Sequence, residues 1–154
     1  HHTAKIVSQL GRSGAQVEVI SLPASFDSAF EDQSIIMMVE AASVHKSTLE
    51  RRMSEYGPMF QKLLVEGLQV DVVEYSRALE RRLQFKADAE ALSLRADVLL
   101  TPTTPTTAQD NMSDTGSAVF QGFWTSCGLP TITIPSGTST SGLPLGIQIL
   151  ADSL

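Results

Sequence analysis

Two stretches decide the fold. The first is Gly128-Leu129-Pro130-Thr131-Ile132-Thr133-Ile134-Pro135, and the second is Gly142-Leu143-Pro144-Leu145-Gly146-Ile147-Gln148-Ile149-Leu150. Gly128 permits the positive φ that ends a helix, and Pro130 stops the helix from re-forming. From Thr131 to Pro135 the chain alternates, with Ile132 and Ile134 on one side, which is the period of a strand. From Leu145 to Leu150, Leu145, Ile147 and Ile149 share a face, and Gly146 lets another backbone or side chain approach closely. Ser136 to Gly142 is a Gly/Ser/Thr loop, so the two strands form an antiparallel pair.

Working back from these strands, Ser117 to Cys127 is a helix closed by Gly128. Before it, Thr101 to Thr107 is a Thr/Pro loop, and Asp97 to Thr101 is a short buried strand. Asp71-x-x-Glu74 is a capping-box pattern that opens a helix to about Arg95, with Tyr75, Leu79, Leu83 and Leu92 as its apolar stripe. Met59 to Glu66 forms a short helix ended by Gly67, and Gly57-Pro58 separates it from a long helix. That long helix starts at a second capping box, Ser28-x-x-Glu31, and runs to about Met53. Its run Ile35-Ile36-Met37-Met38-Val39 is apolar all round, which predicts deep burial. Gln16 to Leu22 alternates as a strand closed by Pro23, and Thr3 to Leu10 is the end of a helix. The order predicts an α/β protein with a mixed sheet flanked by helices. Both ends look like elements cut from something larger, so residues 1–154 are expected to be one partial domain.

Composition narrows the function. The chain has 154 residues, 42% of them hydrophobic, and a net charge of -6. The basic residues occur as pairs, Arg51-Arg52 and Arg81-Arg82, each near an acidic residue. No basic stripe exists to neutralise phosphates, so nucleic acid is not expected as a partner. The apolar run at 35–39 is far short of the about 18 residues of a membrane span. Cys127 is the only cysteine, which excludes an internal disulfide and a cysteine-based zinc cluster. A soluble protein of a reducing compartment, the cytoplasm, is expected.

The ordered set of stretches resembles the C-terminal part of the amidase signature family. The resemblance is carried by Gly14-Ala15-Gln16-Val17-Glu18-Val19, Leu22-Pro23, Glu40-Ala41-Ala42-Ser43-Val44-His45 and Tyr75-Ser76-Arg77-Ala78. It continues through Ala96-Asp97-Val98-Leu99-Leu100-Thr101-Pro102-Thr103 and ends on the two stretches quoted first. The resemblance implies an incomplete C-terminal part of the amidase signature fold. It also implies hydrolysis of a small-molecule amide by a Ser nucleophile, a bridging Ser and a Lys base, without metal or organic cofactor. All three catalytic residues lie upstream of the matched region in the family, so none is carried onto this chain, which is expected to be inactive alone. In the family the Thr/Pro loop and the following helix help line the substrate pocket. The positions implied are Thr103, Phe123 and Trp124. Trp124 either walls the pocket against an acyl group or packs as a core aromatic.

Other chemistry-bearing residues have plain readings. Cys127 ends a helix, where the dipole disfavours a thiolate, and reads as a buried structural thiol. His45 follows Glu40 at a spacing that does not share a helical face, and reads as a packing or hydrogen-bonding residue. Lys5, Lys46, Lys62 and Lys86 read as solvated charges on helices. Asp110 and Asp114 read as turn residues, and Ser136 to Gly142 as a surface loop. A non-catalytic binding or assembly module on the same fold is the alternative function, and an unrelated α/β domain a third. The apolar 35–39 and 145–150 runs favour a piece of an enzyme over an adapted module. Exposed sheet edges and apolar surface predict self-association.

Overall fold

In a computed structural model, residues 2–111 and 113–152 are described. The elements are α1 (His2–Arg12), α2 (Phe26–Arg52) with a 3-10 turn at Met53–Glu55, α3 (Pro58–Gln69), α4 (Val72–Ser93), β1 (Leu99–Pro102), α5 (Val119–Cys127), β2 (Thr131–Thr138) and β3 (Pro144–Leu150). Helices and a sheet are both present, as expected of an α/β chain. The chain divides into two units, Ser25–Phe85 and His1–Ala24 with Lys86–Leu154.

The first unit is helical. Pro58 supplies the first residue of α3, where its missing N–H costs nothing. Gly67 does not end α3. The helix continues to Gln69, and Gly67 instead lies against α2: a Cβ there would stand 2.2 Å from the Met38 carbonyl oxygen. The glycine is a packing residue that lets two helices come together. The Ser28 capping box is not formed either. The helix begins at Phe26, and the Ser28 hydroxyl donates to Asp32 Oδ2 at 2.9 Å. The Asp71-x-x-Glu74 pattern is half formed: Asp71 Oδ1 accepts the Val73 N–H at 2.8 Å, while Glu74 accepts a bond from Arg81 at 2.9 Å.

Asp32 is 2% exposed, so its charge needs a partner. Arg81 Nε provides it, at 2.8 Å and 3.1 Å from the two carboxylate oxygens. These bonds and that to Glu74 raise the Arg81 pKa further above its ordinary value. The 35–39 run is less buried than expected: Ile36 is inside, while Met37 is 45% exposed. The stripe of α4 is Ala78, Phe85, Ala89 and Leu92, all buried, whereas Leu83 is 71% exposed. Phe26 and Phe85 meet edge to face with ring centres 4.7 Å apart.

The second unit holds the sheet, in the order β1-β3-β2. Both pairings are antiparallel, so among the described residues the expected mixed sheet has no parallel pair. Thr101 and Thr133 lie opposite Gln148 from either side, and Ile132 lies opposite Ile149. A bulge between Pro135 and Gly137 bends β2, and the turn closes through Ser139 N–H to the Leu143 carbonyl at 2.8 Å. Gln16 to Leu22 is not a strand. A strand needs a neighbour to take its N–H and C=O groups, and the sheet supplies none. The segment leaves Val19 91% exposed and is tied by Glu18 to Arg95 at 2.7 Å. No residue of α1 is buried, so Ala4, Val7 and Leu10 do not form a core face.

Candidate functional site

The strand end at β1 and the helix α5 hold the residues singled out from the sequence. β1 stops at Pro102, opposite Ile147, and Thr103 follows beside Gly146 of the central strand β3. It can lie there because residue 146 is glycine: a Cβ at 146 would stand 2.9 Å from Thr103 Oγ1 and 3.0 Å from Thr133 Cγ2. The next row of the same face is Thr101, Gln148 and Thr133. Gln148 is 2% exposed, and its Oε1, Thr101 Oγ1 and Thr103 Oγ1 are buried without a hydrogen bond. These are uncharged oxygens without solvent contact.

α5 begins at Val119, two residues later than the expected Ser117, and ends at Cys127. Gly128 takes φ +76, and its N–H donates to the Trp124 carbonyl at 3.0 Å. Trp124 is 3% exposed and Phe123 half-buried on the same helix. Thr103 is thus placed on the sheet, and Phe123 and Trp124 on the helix. Cys127 is buried, its Sγ is 3.4 Å from the Trp124 carbonyl, and burial pushes its thiol pKa up. A thiol in that state is a poor nucleophile.

The remaining candidates are structural. His45 Nδ1 and the Tyr56 hydroxyl are 2.9 Å apart, and the imidazole meets Phe60 edge to face. Lys5, Lys46, Lys62 and Lys86 are exposed, the last two pairing with Glu66 and Glu90 at 3.7 Å. Asp114 Oδ1 accepts the Gly116 N–H at 2.8 Å, as a turn residue does. Among the described residues no group of three His, Cys, Asp or Glu could hold a metal ion. No described helix is long and apolar enough to cross a membrane. An open depression of about 450 Å³ beside Val39, Glu40, Ser43, Val44 and Tyr75 contains no buried polar residue.

Sequence reasoning read the close approach at Gly146 but did not name Thr103 as the side chain that makes it, and it missed Gln148. The glycine was the available signal, since Gly inside a strand marks a close approach. Nothing local to Gln148 shows that its side of the strand is covered.

The comparisons with known proteins converge. The amidase family model matches residues 1–154. AmiD of Mycobacterium tuberculosis, assigned by name to the amidases, is 32% identical over 122 residues, covering 73% of this chain and 26% of its own. A glutamyl-tRNA(Gln) amidotransferase subunit from Synechococcus sp. WH7803 is 32% identical over 127 residues, covering 75% of this chain and 26% of its own. A crystal structure of an amidase superposes with a TM-score of 0.85 at 21% identity, over 98% of this chain and 37% of that one. The chain thus spans about a quarter of these curated relatives and about a third of that solved fold. A family match along its whole length, on an architecture shared with a solved amidase, makes this chain a member of the amidase family.

Proposed function

We propose that the chain is the sheet-and-helix part of a hydrolase of small-molecule carboxylic amides, whose Ser-Ser-Lys chemistry is carried by sequence outside residues 1–154. The carrying observation is the family match over every residue of a chain that spans only about a quarter of its curated relatives. In this reading residues 1–154 are one partial domain of the enzyme. Thr103, Phe123 and Trp124 wall the substrate pocket. The placement of Thr103 at the end of β1 supports its part, because ligands of open α/β sheets bind at strand ends. The isolated chain self-associates through its open sheet edge, and its single buried thiol suits a cytoplasmic setting.

The test compares ammonia release from propionamide and benzamide by the pure chain and by the product of the whole reading frame that contains it. The whole product turns over an amide, and the pure chain does not. Serine-dependent turnover by the pure chain, or no turnover of any amide by the whole product, overturns the proposal.

A further inference from the structure

We propose that one internal water molecule bridges Thr101 Oγ1, Thr103 Oγ1 and Gln148 Oε1 on the face of the sheet that carries Gln148. This goes beyond the amide reading and does not depend on it. Thr101 lies directly opposite Gln148 in the pairing of β1 with β3. Thr103 Oγ1 lies beside Gly146, the neighbour of Gln148 on the same face of β3. All three oxygens are buried, and none has a hydrogen-bond partner among the described residues. A buried oxygen left in that state costs stability, and folded proteins satisfy it with a protein group or an ordered water.

Sequence outside residues 1–154 is not the partner. Each atom is shut off from solvent by this chain itself, so a group arriving from outside meets other atoms first. The near neighbours do not serve either. Gly146 has no side chain, and Thr133 turns a methyl carbon towards it, 3.0 Å from where a Cβ would stand. An ion does not fit, because β1, β2 and β3 contain no Asp, Glu, Lys or Arg to balance its charge.

Water fits the inventory. Gln148 Oε1 only accepts, while each threonine hydroxyl both donates and accepts. A water that donates to Gln148 Oε1 and to one threonine, and accepts from the other, makes about three bonds, the usual number for a buried water. Its reach fits as well. Side chains directly opposite in a sheet have Cβ atoms about 4.5–5.5 Å apart. Two bonds of about 2.8 Å through one water cover that span. The bridge ties the end of β1 to the interior of β3 and holds the Thr103 hydroxyl at the strand end.

The experiment is a crystal structure of the product of the whole reading frame that contains this chain, with a count of long-lived internal waters in solution by oxygen-17 relaxation. One ordered water lies within about 3 Å of all three oxygens. Thr101→Val with Gln148→Leu holds one long-lived water fewer than the wild type. Thr133→Val, whose hydroxyl is outside the bridge, holds the same number as the wild type. No water touching the three oxygens, a direct bond from the Thr101 hydroxyl to Gln148 Oε1, or an unchanged count in the double variant overturns the proposal. Equal loss in Thr133→Val overturns it too. If the double variant does not fold, the wild-type density decides alone.

Discussion

Thr103 sits where the side chain of residue 146 would otherwise be: a Cβ on Gly146 would lie 2.9 Å from Thr103 Oγ1. That separation is shorter than real Cβ contacts, and Thr133 Cγ2 closes the other side at 3.0 Å. Gly146→Ala therefore displaces the end of the Thr/Pro loop or the edge of β2. It should cost about 1–3 kcal/mol of stability, the usual range for overpacking. Thr103→Ala removes the nearer atom, so the double variant should recover part of the loss. Urea unfolding of the four proteins in a double-mutant cycle measures the coupling. Additive losses would mean that the two side chains do not compete for this space.

Gly67 faces a harder obstacle. The atom a Cβ would strike is the Met38 carbonyl oxygen, at 2.2 Å, which is backbone and cannot rotate aside. Gly67→Ala forces α3 away from α2 and should cost about 3 kcal/mol, at the upper end of overpacking penalties. A loss below about 1 kcal/mol in thermal or urea unfolding, the cost of a minor repacking, would contradict this contact.

Arg81 and Asp32 form the most buried ion pair described, with the Asp32 side chain 3% exposed and that of Arg81 41% exposed. Replacing Arg81 by Met leaves a carboxylate inside the helical unit without its main partner. A fully buried pair broken in this way loses about 3–5 kcal/mol, and the half-exposed arginine lowers the expected loss to about 2 kcal/mol. Asp32→Asn with Arg81→Met should be less damaging than Arg81→Met alone, because the stranded charge is then removed. Unfolding of the two variants side by side checks the order.

The Cys127 thiol is held above its ordinary pKa by burial. The folded state thus keeps its proton at a pH where the unfolded chain releases it. Stability from this group is full below the unfolded thiol pKa of about 8.5 and falls as pH rises above it. Unfolding midpoints at pH 7.5 and 10 should differ more for the wild type than for Cys127→Ala. A thiol-specific reagent should also react slowly with the native chain at pH 8. Immediate stoichiometric reaction would contradict the burial.

The parts of the fold that were legible in sequence are those fixed by local chemistry. The Gly128 helix end, the break at Gly57-Pro58 and the β2–β3 hairpin each follow from a few adjacent residues. Elements decided by distant partners were not legible. Gln16 to Leu22 has the alternation of a strand but no neighbour to bond. Ser28-x-x-Glu31 has the residues of a cap, yet Asp32 takes the Ser28 hydroxyl. Gly67 has the look of a helix end, and only the approach of Met38 shows what it does. At the candidate site, Thr103 was named through the family resemblance, while its contact with Gly146 follows from the pairing of β1 with β3. Gln148 was not legible, because an alternation of Ile147 and Ile149 says nothing about what covers the opposite face.

The most direct test of the account is covalent labelling. The pure chain is incubated with a serine-reactive fluorophosphonate, and its intact mass is recorded. If the nucleophile lies outside residues 1–154, the mass does not change, and Ser141 in the Ser136 to Gly142 loop stays unmodified although it is exposed. A stoichiometric single adduct on any serine of this chain would place the nucleophile inside it and contradict the account.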